Sequence, residues 1–125
     1  MNKIIVMLLA AVLTLLPACG PSLDDSGDPG IIGAITSVEI AEDDSFRIAS
    51  ILVEGTPEDN AGLISDKALV SITKDTVLAN GTDKKLFEVQ DIDALTVGVD
   101  VEVVFTGPVA ESYPVQGEAK VIRIR

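Results

Sequence analysis

The sequence predicts an all-β domain that closes into a small barrel of five or six strands. Three observations predict it: apolar residues recur at every second position in short segments, Gly- and Asp-rich turns separate these segments, and no 3.6-residue period is sustained after residue 18. A plain β-sandwich is the alternative. We favour the barrel because closure leaves no open strand edge on an exported domain.

Residues 1–18 have the features of an export signal. Lys3 is their only charged side chain, and it precedes an apolar run from Ile4 to Leu16 in which Thr14 is the one polar residue. A membrane-spanning helix needs about 20 apolar residues, which is longer than this run. The apolar core of a signal peptide has about 7–15 residues. We therefore expect residues 1–18 to be a signal peptide.

The end of the apolar run predicts lipidation. Leu16-Pro17-Ala18-Cys19 resembles the bacterial lipobox, in which Leu at −3 and a small residue at −1 precede an obligatory Cys. Cys19 is the only cysteine in the chain, so it has no disulfide partner within it. The alternative is ordinary cleavage beside a free thiol. We expect Cys19 to carry a thioether-linked diacylglyceryl group that holds the protein on the extracytoplasmic face of the cell membrane.

Residues 19–30 are predicted to be the lipidated Cys and a flexible linker. Gly, Pro, Ser and Asp dominate residues 20–30, and Leu23 is their one large apolar residue. A flexible chain of that length spans about 18 Å on average. The folded domain is therefore expected over residues 31–125, without packing from the linker.

The first predicted strands form a hairpin. Residues 41–45 predict its turn, and residues 46–53 the returning strand. The first strand alternates with period two, which places one set of residues on a single face: Ile32, Ala34, Thr36, Val38 and Ile40.

Three further segments complete the predicted barrel. A loop over residues 54–65, with a helical turn after Pro57, leads to a strand over residues 68–73. A second turn follows at residues 80–85, and a third at residues 98–100. The strand after the third turn places Val101, Val103 and Phe105 on one side. We expect Val70 and Ile72 to share a face of the strand over residues 68–73.

The last strand does not keep a single phase. Ala119 falls on the opposite face from Ile122 and Ile124 unless a β-bulge near Lys120-Val121 intervenes. We expect such a bulge. A long first strand that bends and pairs at both ends would make the barrel similar to the oligonucleotide/oligosaccharide-binding (OB) barrel.

Two long segments, residues 50–80 and 95–124, resemble the YobA-like domain, a small family of bacterial exported and lipoprotein domains. The features that carry the resemblance are "DKALVSIT", the turn containing Thr76, "VGVD" and "SYPVQGEA". It extends over about residues 31–125. The resemblance implies a β-barrel in the cell envelope and brings no catalytic motif.

The composition disfavours an enzyme. The chain has no His, which excludes His-based triads, imidazole bases and His metal ligands. Ser71 with Lys67 or Lys74, and Asp91 with Asp93, are the remaining candidate pairs for catalysis. A polar row on a strand explains the first set equally well. We expect no enzymatic activity and no cofactor.

The charge disfavours nucleic acids as partners. Residues 19–125 carry eight basic and twenty acidic side chains, a formal charge of −12, and this charge repels phosphates. The aromatic residues that could stack on bases are few: Phe46, Phe87, Phe105 and Tyr113.

We instead expect a membrane-attached module that binds an envelope protein or polymer. Acidic residues group at residues 42–44 and at Glu54, Glu58 and Asp59. They are expected to be solvated turn residues that confer solubility, and no metal site is assigned to them. Weak calcium binding is the alternative, because hard cations take clustered carboxylate oxygens. Basic residues gather at the end of the chain, at Lys120, Arg123 and Arg125.

The loop "ESYPVQGE", residues 111–118, is the candidate contact segment. Tyr113 is the only Tyr, and Pro114 after it restricts its backbone. An exposed Tyr is a good interface anchor because it combines an apolar ring with a hydroxyl donor. In the alternative, Tyr113 folds back as a lid on the barrel with its hydroxyl on a nearby carbonyl, and Pro114 only stiffens the turn.

Overall fold

A computed structural model describes residues 23–42 and 46–125 of the chain. Within these residues it contains one short 3-10 helix, Val89–Ala94, between the fifth and sixth of seven strands. The strands are β1 (Ile31–Ile40), β2 (Arg47–Glu54), β3 (Lys67–Thr73), β4 (Val77–Asn80), β5 (Asp83–Leu86), β6 (Asp100–Ala110) and β7 (Val115–Ile124).

Five of the strands close into a barrel in the order β1-β2-β3-β7-β6. β1 pairs with β2 through residues 34–40 and with β6 through residues 31–34, so it is shared by two parts of the sheet. All neighbours in the ring are antiparallel except β3 and β7, which run parallel. The expected all-β, OB-like barrel is confirmed, including a first strand that pairs at both ends.

The remaining strands extend the sheet outside the ring. β4 pairs in parallel with the second half of β7, and β5 folds back on β4 through a two-residue turn at Gly81-Thr82. The sequence predicted a turn here. It did not predict the 3-10 helix that follows, in which the Asp91 carboxylate accepts a hydrogen bond of 2.9 Å from the Glu88 N–H.

The interior of the barrel is aliphatic. Val70, Ile72, Val101 and Val103 are fully buried, as the sequence predicted, and Phe105 packs partly buried against the same core. Other fully buried side chains come from β1, β2, β3 and β7: Ile31, Ile35, Ile51, Val53, Ala68 and Ile122.

The predicted face of β1 is wrong over its first half. Ile31 and Ile35 are fully buried, whereas Ile32 is only half-buried and Thr36 is exposed. The pairing with β2 shifts register between Ile35 and Ser37, and beyond this bulge Val38 packs against the core. A bulge adds one residue to a strand and so exchanges the faces on either side of it.

The predicted bulge in β7 is confirmed. Val104 pairs with Val121 and Phe105 pairs with Ala119, so Lys120 is the extra residue. Ala119 and Ile122 can therefore both face the interior, and both are buried. Val121 points to the opposite side.

The part of the predicted linker that the structure describes is not a free chain. We call Leu23–Gly30 the strap, because it lies against the outer faces of β4, β6 and β7. The Arg123 guanidinium donates hydrogen bonds to the carbonyls of Asp25 (2.7 Å) and Gly27 (3.0 Å). The Lys120 ammonium lies 3.1 Å from the carboxylate of Asp24. The described residues of the predicted linker therefore contact the barrel, whereas residues 19–22 lie outside the described residues.

Two glycines allow the strap to approach the barrel closely. Gly27 has φ of +128°, and a Cβ there would lie 2.7 Å from Val104 Cγ1. A Cβ at Gly30 would lie 2.5 Å from the Phe105 ring, and the Gly30 N–H donates to the Val103 carbonyl at 2.8 Å. The Gly-rich composition that predicted flexibility thus permits close packing instead.

A buried amide secures the loop between β2 and β3 to β1. The side chain of Asn60, 6% exposed, accepts from the Ile32 N–H and donates to the Ile32 carbonyl, both at 2.8 Å, and donates to the Thr56 carbonyl at 2.9 Å. It takes the place of a β2 partner at Ile32, because the β1–β2 pairing ends at Ala34.

We predict that Asn60→Ala lowers the free energy of unfolding by about 2–3 kcal/mol, because the N–H and C=O of Ile32 and the C=O of Thr56 lose their bonds to the buried amide. The measurement is urea denaturation of residues 23–125 followed by circular dichroism. Asn80→Ala, at an exposed site, is the matched control and should change stability by less than about 0.5 kcal/mol. Equal effects of the two substitutions would contradict the role given to Asn60.

Candidate functional site

Tyr113 lies on the surface, in the loop between β6 and β7. Its side chain is 70% exposed, and its hydroxyl donates a 2.9 Å hydrogen bond to the carboxylate of Asp66. The alternative in which Tyr113 closes the barrel as a lid is therefore wrong. The exposed ring is held by a carboxylate on the neighbouring loop rather than by a backbone carbonyl.

Strand register brings Tyr113 and Asp66 together. β3 and β7 are parallel, with Ala68 opposite Val115. Asp66 precedes Ala68 by two residues and Tyr113 precedes Val115 by two residues, so the two side chains start from equivalent positions on adjacent strands.

Three more side chains lie beside Tyr113 and Asp66: a cation, a second carboxylate and a hydroxyl. We call the five residues the Tyr113 cluster: Thr36, Glu54, Asp66, Lys67 and Tyr113. The Lys67 ammonium lies 6.0 Å from the centroid of the tyrosine ring, a weak cation–π distance, and 3.3 Å from the Glu54 carboxylate. Hydrogen bonds from Thr36 and then from Lys67 lower the pKa of Glu54 below its usual value. The Tyr113 hydroxyl is thus bonded to one carboxylate, and the cation near its ring is paired with another.

Pro114 belongs to the same loop. The Tyr113-Pro114 peptide bond is cis, and the Ser112 hydroxyl donates to the Pro114 carbonyl at 2.7 Å. The Ser112 N–H in turn donates to the Ala110 carbonyl at 2.9 Å. The loop is closed on itself by these bonds, so the candidate contact residues Tyr113 and Pro114 lie together on a compact turn.

An apolar groove runs beside this loop. It has a volume of about 550 Å³, and residues 107–112 form one wall while Ile64 and Val115 contribute apolar surface. A second groove of similar volume continues from Ile64 and Gly107 toward Phe105 and the end of the strap. Ile64 is 53% exposed between them. The Tyr113 loop therefore borders a concave apolar surface.

The candidate catalytic residues have other contacts. Lys67 pairs with Glu54, and Ser71 is four positions further along the strand, about 13 Å away in an extended chain. Asp91 lies 3.1 Å from the Lys85 ammonium, and its hydrogen bond raises the pKa of Lys85. Asp93 is exposed at the end of the 3-10 helix.

The predictions about metal binding and membrane attachment concern residues that the structure describes only in part. In residues 23–42 and 46–125, no group of three or more acidic, His or Cys side chains is arranged to hold a metal ion. Two of the acidic residues considered for calcium, Asp43 and Asp44, lie outside the described residues, as does Cys19. No helix in the described part of the chain is long and apolar enough to cross a membrane.

Sequence reasoning found Tyr113 and missed its partners. Glu54, Asp66 and Lys67 lie at the ends of β2 and β3, about fifty residues before Tyr113 in the chain. Their grouping depends on the β3–β7 register, and no local pattern in the sequence signals a pairing between strands so far apart.

Fold and surface together define a small OB-like barrel with an ordered N-terminal strap and an exposed tyrosine cluster beside an apolar groove. A family described as "Protein of unknown function (DUF3221)" matches residues 46–124. The chain belongs to this family. No curated protein and no solved structure matches the chain significantly. The family description carries no YobA-like name, so that resemblance stays a prediction.

We predict that Tyr113 ionises above its usual pKa of 10.0, because ionisation breaks its hydrogen bond to Asp66 and places two negative charges together. The phenolate absorbance measures this directly, since the chain has one Tyr and no Trp. Because the folded-state pKa is raised, the bond stabilises the fold below the usual pKa and this contribution is lost as the pH rises through the folded value.

Asp66→Asn is the test of this cause, because it keeps the shape of the side chain and removes its charge. The titration midpoint should move down toward the usual value in this variant. Asp75→Asn, a neutralisation on the β3–β4 turn, should leave it in place. A midpoint that Asp66→Asn does not move would show that Asp66 does not control this group.

Proposed function

We propose that this protein is a lipid-anchored bacterial envelope protein whose barrel serves as a non-catalytic binding module. The anchor is the lipidated Cys19 at the extracytoplasmic face of the cell membrane, after removal of residues 1–18. The "LPAC" sequence at residues 16–19 supports the anchor. The YobA-like resemblance supports the same location.

The exposed side chain of Tyr113 is the observation that supports a binding role. Its ring is 70% exposed, its hydroxyl is fixed by Asp66, and its loop forms a wall of an apolar groove. A surface aromatic that is held in place costs little conformational entropy on association, and Tyr is enriched among residues that dominate interfaces. The proposed partner is an envelope protein or polymer, and nucleic acid is disfavoured by the charge of −12 on residues 19–125.

We expect Cys19→Ala to abolish membrane attachment. The thiol is the only group in the lipobox that can form the thioether, so the variant should lose incorporation of labelled fatty acid and escape cleavage before residue 19. Membrane fractionation and mass spectrometry of the N-terminus give the result. Ser22→Ala, three residues away, is the control and should remain lipidated. An N-terminus at residue 19 with an unmodified thiol would contradict the anchor.

The binding proposal predicts that Tyr113→Ala removes partner capture without unfolding the barrel. Stability should fall by less than about 1 kcal/mol, because the side chain is mostly exposed. Cross-linking in intact cells, followed by quantitative mass spectrometry, compares the captured species between variants.

Two control variants are compared with Tyr113→Ala in this experiment. Tyr113→Phe keeps the ring and loses the hydroxyl, so it should retain part of the capture. Ser50→Ala changes the outer face of β2 and should retain all of it. If Tyr113→Ala captures the same species in the same amounts as the unmodified protein, Tyr113 is not the contact residue.

A further inference from the structure

The strap is bound to one side of the barrel by apolar contact as well as by charge. Leu23 packs on a small apolar cluster that lies outside the barrel core and consists of Val77, Ala79, Val104 and Val121. We call the outer surface of β4, β6 and β7 around this cluster the strap face. Lys84 of β5 joins it through an ion pair of 3.3 Å with Asp25.

The strap shortens the connection to Cys19. The sequence predicted a linker of residues 19–30, but residues 23–30 are held on the strap face, so four peptide units separate Cys19 from Leu23. Four fully extended units span at most about 14 Å. A domain of about a hundred residues has a radius of gyration of about 13 Å. An anchor at Cys19 therefore stays within about one such radius of Leu23 while the strap is docked.

Charge also distinguishes the strap face. In its ion-pair network, four cations (Lys84, Lys120, Arg123 and Arg125) lie within 4 Å of three carboxylates (Asp24, Asp25 and Glu102). The other charged residues of the sequence from residue 19 onward are four basic and seventeen acidic. Anionic lipid headgroups repel an acidic surface and attract Lys and Arg. With Asp28, the remaining acidic residue of the strap, this side is balanced at four cations and four carboxylates, so it repels an anionic bilayer less than the rest of the sequence does.

We propose that the docked strap holds the barrel with its strap face against the lipid surface and turns the outer face of β2 away from it. The proposal rests on the lipidation of Cys19 proposed above. In the ring β1-β2-β3-β7-β6, β2 lies across the barrel from β6 and β7. We take the bilayer as the occupant of the strap face because the lipid on Cys19 stays close to Leu23. The short chain between these two residues does not extend to the β2 side of the barrel.

This orientation keeps the Tyr113 cluster accessible. Tyr113 precedes the first residue of β7, whereas Val121, which contacts Leu23 through the apolar cluster, lies near its other end. Six residues from Val115 to Val121 correspond to about 20 Å along a strand. The cluster and the anchored end of the strap are therefore separated along the length of the barrel.

The test measures the distance of two sites from a bilayer. The protein is purified from bacterial membranes as the mature lipoprotein, with a fluorophore on either Thr82→Cys or Ser50→Cys. Thr82 is exposed in the β4–β5 turn, two residues from Asn80, whose strand partner is Ile124 of β7, and Ser50 lies on β2. The vesicles contain anionic lipid and a headgroup-linked energy acceptor. We expect energy transfer at least about twofold greater from position 82 than from position 50, given the diameter of the domain.

A second measurement tests the strap itself. Arg123→Ala removes the hydrogen bonds to Asp25 and Gly27, and Lys74→Ala is the control that removes one positive charge on the β3–β4 turn. Arg123→Ala should lower transfer from position 82 toward the value at position 50, because a released chain from Cys19 to Gly30 lets the barrel rotate. Lys74→Ala should leave the difference intact.

The outcomes distinguish a failure of the proposed orientation from a failure of the proposed lipidation of Cys19. If Cys19 is not lipidated, the thiol reagent modifies two cysteines and the protein does not bind the vesicles, which overturns both proposals. If the protein is lipidated and bound but the two positions transfer energy equally, only the orientation is overturned. Equal transfer from position 82 in Arg123→Ala and Lys74→Ala would overturn the role of the strap.

Discussion

The parallel pairing of β3 with β7 is the contact on which the rest of the structure depends. The other pairings in the ring join antiparallel neighbours, and without the β3–β7 ladder they form an open sheet. The ladder closes the sheet and encloses the aliphatic interior. The register of this ladder also places Asp66 beside Tyr113. The backbone hydrogen bonds between β3 and β7 therefore both close the barrel and position the Tyr113 cluster.

Bulges in β1 and β7 allow these two strands to follow the curvature of the closed barrel. β1 serves both β2 and β6, and its register shift near Thr36 lets it turn from one partner to the other while Ile35 and Val38 both meet the core. In β7 the extra residue is Lys120, and the same shift sends Val121 outward to the apolar cluster. A bulge increases local twist and exchanges faces. It thereby supplies curvature to the barrel and an apolar surface for the strap.

Residues 24–27 contact residues 120–123, almost a hundred positions away in the sequence. The Asp24 carboxylate pairs with the Lys120 ammonium, which also donates to the Ser26 carbonyl, and the Arg123 guanidinium donates to the Asp25 backbone carbonyl. Exposed ion pairs contribute little individually. The strap is positioned by their combination with Leu23 and with backbone carbonyls that accept directed hydrogen bonds. The amino-acid composition predicted a flexible linker for this segment. Composition alone carries no information about the barrel surface that the segment contacts.

The sequence by itself determined the class of fold, most strand positions and the bulge in β7. Each of these depends on local alternation and turn residues, and Ala119 and Ile122 could not share a face without an extra residue between them. It also singled out Tyr113 and Pro114. Only the tertiary structure decided which residues surround Tyr113, which face of β1 is buried and where the strap lies. Those features depend on register between distant strands and on the packing of Gly27 and Gly30 against β6, and neither leaves a periodic signal along the chain.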